Sequence, residues 1–166
     1  SNRKNMERMA EVVPESDEQS LQHFLSNSNW DDRAVLDQVA MEVDQQLGGD
    51  EDSALLLDES GFTKKGRSSV GVARQYNGRL GKQDNCQVGV FAALNCKDRV
   101  SLIDKRLYLP ESWTNDPARC HAVGIPKAAR VFKTKPELAL EMVRYNRQLG
   151  VRFQWVGMDA LYGNTP

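Results

Sequence analysis

Three features of the sequence predict a mixed α/β fold, with an α+β type sheet and one helical crossover. The first 50 residues carry apolar stripes at helical spacing, residues 86–94 and 99–107 alternate with the period of a strand, and a capped helical pattern at 134–150 leads into a last apolar run. In order these read as a small helical segment, three antiparallel strands, a helix and a final strand. A helical crossover that returns to the same sheet makes the final strand parallel to one already there, with right-handed connection.

At the start, Met6, Met9, Ala10 and Val13 keep helical spacing up to Pro14, and Asp17 caps a turn carrying Leu21, Phe24 and Leu25. Ser28, with Asp31 three residues on, makes a capping-box pattern before a third stripe of Val35, Leu36, Val39, Ala40, Val43 and Leu47, which Gly48-Gly49 stops. A DNA-binding helix-turn-helix is one reading of this segment. Plain acidic helices are the stronger one, because Arg3, Lys4, Arg8 and Arg33 are its only cations for a phosphate backbone.

Beyond the acidic linker Gly48–Asp52 the pattern changes. Ala54-Leu55-Leu56-Leu57 is a continuous apolar run, which predicts a short strand buried on both faces and ending in Asp58-Glu59-Ser60-Gly61. Cys86, Val88, Val90, Ala92 and Leu94 then recur at period two, and a further run from Arg99 through Val100, Leu102 and Ile103 to Leu107 predicts a hairpin turning at Asn95–Asp98. Residues 110–134, with Pro110, Pro117 and Pro126, predict loop and short helix. Thr134 and Glu137 form a second capping box with an early Pro136; Leu138, Met142, Tyr145 and Leu149 share one helix face, and Gly150 is the stop. Val151–Met158 reads as the fourth strand, ending at Asp159. The domain division predicted is 1–50, acidic and helical, and 51–166.

With 166 residues, 40% apolar and 27% charged, the chain has ordinary globular composition, and the expectation is one domain, or one domain with a small appendage, rather than a large multidomain enzyme or a fibrous or disordered protein. No apolar stretch reaches the roughly 18 residues of a membrane helix and no signal peptide is visible, so the expectation is a soluble, intracellular protein with no membrane partner. Cys86, Cys96 and Cys120 are an odd count without CxxC spacing, which predicts buried reduced thiols. His23 and His121 are isolated and carry no assigned chemistry. The net charge of −1 is a cancellation: residues 1–60 hold 4 Lys+Arg against 15 Asp+Glu, and residues 61–166 hold 18 against 8. The basic part suits a polyanion.

An apolar strand followed by a carboxylate occurs twice, at LLLDES and at FQWVGMDALYG. If the two strands are parallel neighbours, Asp58 and Asp159 emerge at one sheet edge, where open α/β sheets bind ligands. Two bare carboxylates side by side repel, whereas a hard divalent cation keeps both ionised. The alternative is that each Asp only caps a turn after its strand. Between Ser60 and Gln83 lie Lys64, Lys65, Arg67, Arg74, Arg79 and Lys82 with five glycines and no acid. Glycine lets backbone N–H groups approach a phosphate, and unpaired cations supply sequence-independent DNA affinity, so these six are the candidate DNA contacts. Tyr76 and Trp113 are candidates to stack on bases.

The runs LLLDESGFTKKGRSSVGVARQYNGRLGKQDNCQVGVF, SLIDKRLYLPESW and WVGMDALYG closely resemble insertion-sequence transposases of the DDE superfamily, whose catalytic domain has the ribonuclease H-like fold. The resemblance runs from about Trp30 to the end, with three separated motifs in the right order. It implies that Asp58 is the first catalytic and metal-binding acid and Asp159 the second, and that two Mg²⁺ (or Mn²⁺) ions occupy the complete site. It also implies double-stranded DNA, as transposon ends and target, for partner, and a cytoplasmic bacterial protein that joins the nucleoid when on DNA. The family's third acid, usually a Glu, lies on a later helix. Here the sequence ends seven residues after Asp159, and neither Glu59 nor Glu137 matches that position. The expectation is therefore a partial ribonuclease H-like domain, inactive alone, with a damaged metal site that holds no ion in this chain, and with its fourth strand an exposed edge for self-association. A catalytically silent DNA-binding or assembly module is the alternative. A ribonuclease H-type nuclease acting on hybrids is a third reading that fits the fold but not the basic Gly-rich stretch.

Overall fold

The computed structural model describes residues 6–163. The chain divides into two compact units, Ser1–Arg33 and Ala34–Pro166. In the first, α1 (Met6–Ala10) and α2 (Glu18–Asn27) bury no residue. The Asp17 carboxylate accepts the Ser20 N–H at 2.9 Å and its hydroxyl at 2.6 Å, as a helix cap should, and Phe24 stacks on Trp30 at 5.5 Å. The predicted capping box at Ser28 is corrected. Ser28 terminates α2, donating its N–H to the His23 carbonyl, and Asp31 opens the next helix by accepting the Arg33 N–H at 2.9 Å. Arg3 and Lys4 lie outside the described residues.

The next helix, α3 (Asp32–Leu47), buries Ala40, Asp44 and Leu47. There follow β1 (Ala54–Thr63), β2 (Ala73–Asn77), β3 (Lys82–Cys96), β4 (Arg99–Leu107), α4 (Glu111–Thr114), α5 (Pro117–Ala122), a 3-10 turn at Lys127–Ala129, α6 (Lys135–Leu149), β5 (Trp155–Met158) and α7 (Ala160–Gly163). The strands form one open mixed sheet in the order β2-β3-β1-β5, with β4 also on β3. β1 runs antiparallel to β3 and parallel to β5. β3 is long enough to carry β2 on residues 82–86 and β4 on residues 89–96. This is a mixed α/β architecture, that of a partial ribonuclease H-like fold.

Four strand expectations are corrected. β2 is an additional antiparallel strand inside the Gly-punctuated stretch; its residues alternate little in polarity and become strand through the pairing of Ala73–Asn77 with Lys82–Cys86. β1 does not end at Asp58, because β3 continues beside it as far as the Thr63–Cys86 pair. It is also covered on one face only: Leu55 and Leu57 are buried, while Leu56 between them is 39% exposed. β5 is shorter than expected, since Val151 and Phe153 are buried ahead of the strand without pairing in it.

The covered face holds the core. Leu55, Leu57, Val90, Ala92, Leu94 and Ile103 pack there with Ala40 and Leu47 of α3 and with Leu138, Ala139 and Met142 of α6. Each Leu, Val, Ile or Met side chain among them contributes about 1.5–3 kcal/mol on burial. The capping box that starts α6 forms as expected: Thr134 accepts the Glu137 N–H at 3.3 Å, and Glu137 accepts the Thr134 N–H at 2.7 Å. That bond and the Thr134 hydroxyl hold the Glu137 carboxyl below its ordinary range. Gly150, at φ 103°, ends the helix in a left-handed conformation that a side chain would strain. The 110–134 excursion carries a second cluster of Leu109, Trp113, Cys120 and Ile125. All three cysteines are buried and free. No described helix is long and apolar enough to cross a membrane.

Candidate functional site

The parallel register of β1 and β5 pairs Leu57 with Met158, so the residue that follows each of them in the chain is a carboxylate: Asp58, still on β1, and Asp159, just past the end of β5. Neighbouring strands lie about 4.8 Å apart, which starts the two side chains next to each other. Both residues are exposed. Because β1 continues past Asp58, the edge on which they stand is made by the ending of β5. The Asp58 carboxylate accepts the Glu59 N–H at 2.8 Å, and Phe91 of β3 is its opposite neighbour.

Glu59 points the other way, as alternation along a strand requires. Its carboxylate is held twice, by Lys135 Nζ at 2.7 Å and by the Tyr162 hydroxyl, which donates at 2.5 Å. Lys135 opens α6 and Tyr162 lies on α7, so Glu59 joins the start of the crossover helix to the segment that follows Asp159. The Tyr162 phenol is pushed well above its ordinary value, first by burial, then by its bond to Glu59 and the negative charges of Glu59, Asp58 and Asp159. It therefore stays a neutral donor throughout the physiological range. Sequence reasoning missed this link. Its one visible signal was that Tyr162 belongs to the WVGMDALYG motif that also carries Asp159.

Asp58 and Asp159 offer hard oxygen donors, the ligand type of Mg²⁺ and Mn²⁺. As a donor set they fit a two-point attachment, with water and substrate oxygens completing the shell. Among the described residues no group of three or more His, Cys, Asp or Glu is placed to hold a metal ion. Glu59 is engaged by Lys135 and Tyr162, and Glu137 by its capping box.

Of the six basic candidates, Lys64, Lys65, Arg67 and Arg74 come together around one cavity of about 480 Å³. Arg79 and Lys82 lie apart from it, at the turn between β2 and β3. Side chains from β3 and α4 hold the β1–β2 loop in place. Asn85 donates to the Lys64 and Gly66 carbonyls at 2.6 and 3.0 Å, Gln87 to Val70 at 2.6 Å, and Trp113 Nε1 to Val72 at 2.9 Å. Gly71, at φ 76°, passes so close to the Tyr108 carbonyl that an added Cβ would sit 2.9 Å from it. Tyr76 is 56% exposed, as a stacking role needs, but Trp113 is fully buried. Trp113 thus cannot meet a base, and Arg119 covers its ring at 3.7 Å.

Comparison with known proteins gives the relationship. The family model described as "DDE superfamily endonuclease" matches residues 1–166. The chain is 31% identical over 164 residues to a protein of Microchaete diplosiphon named "Probable transposase for insertion sequence element IS701". That match covers 98% of this chain and 40% of the relative's length. No solved structure matches. With its motifs in order on a ribonuclease H-like sheet and a family match along its whole length, this chain belongs to the DDE superfamily endonucleases.

Proposed function

We propose that this chain is part of a DNA transposase, with Asp58 and Asp159 as its first two metal-binding catalytic acids. The observation that carries the reading is the β1–β5 register, which makes these two carboxylates neighbours on adjacent parallel strands. The residues 51–166 form the catalytic part, and the acidic helices of 1–50 precede it. Its substrate is double-stranded DNA, at the ends of the element and then at the target, and its setting is the bacterial cytoplasm, on the nucleoid when DNA-bound.

The divalent cations that the family generally uses, Mg²⁺ or Mn²⁺ and two in a complete site, supply charge neutralisation and an activated water or hydroxyl when bound. Asp58 and Asp159 would hold and orient them. The proposed reaction is hydrolysis of a phosphodiester at an element end, after which the freed 3′-hydroxyl attacks target DNA in line. Lys64, Lys65, Arg67, Arg74, Arg79 and Lys82 hold the phosphate backbone, so that the reacting ester is positioned before chemistry begins. On its own this chain binds DNA in a salt-dependent way and does not cut it, since Glu59 and Glu137 are both committed to other contacts. β5, at the end of the sheet order, offers an outer edge for self-association.

The test is a cleavage assay on a complete transposase carrying this chain, with labelled element ends. Asp58→Asn and Asp159→Asn should each lower Mg²⁺-dependent cleavage by about 10²-fold or more, with DNA affinity close to that of the parent. Cleavage retained by either variant contradicts the assignment.

A further inference from the structure

The cavity beside β2 is built from three segments distant in sequence, Asn85 of β3 being one of them. The β1–β2 loop and β2 bring Lys64, Lys65, Arg67 and Arg74, and α5 brings Arg119 from the 110–134 excursion. No carboxylate lines it. Lys64, Lys65, Arg67 and Arg74 make no ion pair among the described residues. Five cations facing one space repel each other, and no carboxylate on the cavity wall offsets that repulsion.

The cluster is also held in shape, unlike a solvated basic turn. Arg119 lies over the Trp113 ring at 3.7 Å and donates through Nη2 to the Arg67 carbonyl at 2.8 Å and to Val72 at 3.5 Å. Its guanidinium is therefore fixed before any ligand arrives, and the loop carrying Lys64 to Arg67 is fixed with it. Asn85, which pins the Lys64 and Gly66 carbonyls, forms part of the wall, and the Ser112 hydroxyl adds a neutral donor. Several converging cations with a hydroxyl suit a tetrahedral oxyanion with many acceptor sites.

We propose that this cavity is a phosphate-binding site that grips one position of a phosphate backbone, with Arg119 and Ser112 as members that lie outside the basic stretch. It deepens the DNA reading above and rests on it only for the source of the phosphate. The 110–134 excursion thereby gains a role: its buried cluster around Trp113 and Cys120 is the base that aims Arg119.

The experiment titrates this chain with inorganic phosphate and, separately, with a short DNA duplex, following backbone and arginine Nε–H resonances by NMR and duplex affinity by fluorescence anisotropy. Phosphate should shift the signals of Lys64–Arg67, Arg74, Ser112 and Arg119 together. Arg119→Ala and Arg74→Ala should abolish those shifts and weaken the duplex by about tenfold. Arg79→Ala should weaken the duplex while the phosphate shifts persist. Since Arg119→Ala also frees the Arg67 carbonyl, while Val72 keeps its bond from Trp113, Arg74→Ala and Ser112→Ala, both at exposed positions, separate ligand loss from loosening of the loop. Phosphate shifts without any loss of duplex affinity in the Arg74 and Arg119 variants would support the phosphate site and assign it to a free phosphate. Absent shifts, with equal duplex losses for Arg74, Arg79 and Arg119 variants, would overturn the site in favour of a diffuse basic face. Failure of the cleavage test above would not alter any of these readings.

Discussion

The two strands that carry the carboxylates are built differently. β1 has ten residues, all paired with β3, and four of them are paired with β5 as well. β5 has four residues and a neighbour on one side only, and its Trp155 and Met158 are 66% and 43% exposed. Asp58 is thus fixed by the sheet itself. Asp159 stands at the end of a short edge strand, where the backbone ladder alone gives little hold, and the Tyr162–Glu59–Lys135 link supplies it from the far side. The difference teaches that one acid of the pair is positioned by secondary structure and the other by side-chain contacts that follow it.

Four substitutions and one change of pH break or sharpen that comparison. The largest effect is expected from Leu57→Ala, which removes a buried side chain beneath Asp58 and should cost about 2–5 kcal/mol in urea denaturation. The matching change on the edge strand, Val156→Ala at a position 41% exposed, should cost less than about 1 kcal/mol. A similar loss at both positions would erase the contrast between central and edge strand. Glu59→Gln comes next. It leaves Lys135 without its ion-pair partner in a site where both side chains are less than one-fifth exposed, at about 1–3 kcal/mol by the same measurement.

Tyr162→Phe removes only the hydroxyl and should cost about 1 kcal/mol. Its effect should be local: amide exchange at Trp155–Met158 accelerates, while exchange across the β1–β3 pairs stays as in the parent. Uniform acceleration in both strands would show that the link has no special bearing on β5. The smallest effect concerns pH. The Glu137 carboxyl is held below its ordinary value, so the bonds it makes to Thr134 contribute fully above the ordinary glutamate value of 4.5 and are lost as pH falls through the lower folded value. Fraying of the first turn of α6 on acidification, read by amide exchange at Lys135–Leu138, is the expected result. No change between pH 7 and pH 2 would count against it.

What the sequence made legible was local in origin. The box of Thr134 and Glu137 and the Gly150 stop are written within one helix, and both were readable for that reason. The hairpin of β3 and β4 showed its alternation within each strand. β2 did not: Ala73–Asn77 has no strand-like pattern of its own and depends on Lys82–Cys86 for its state. The continuation of β1 beyond Asp58 was hidden in the same way, because the partner residues that sustain it, from Phe91 back to Cys86, are remote in sequence. At the candidate site the two acids could be read from a repeated strand-then-carboxylate pattern. Glu59, Tyr162 and Arg119 could not, since each takes its place from contacts across 47 to 103 positions of sequence. Trp113 misled for a related reason: its burial is decided by the excursion folding onto Val72.

The central claim is that Asp58 and Asp159 act as one cation-binding pair. Its most direct test is a Mn²⁺ titration of this chain, read as paramagnetic broadening of backbone amides. The amides around 58 and around 159 should broaden together, and Asp58→Asn and Asp159→Asn should each remove the broadening at both places. Broadening at one acid that survives loss of the other would contradict the pair.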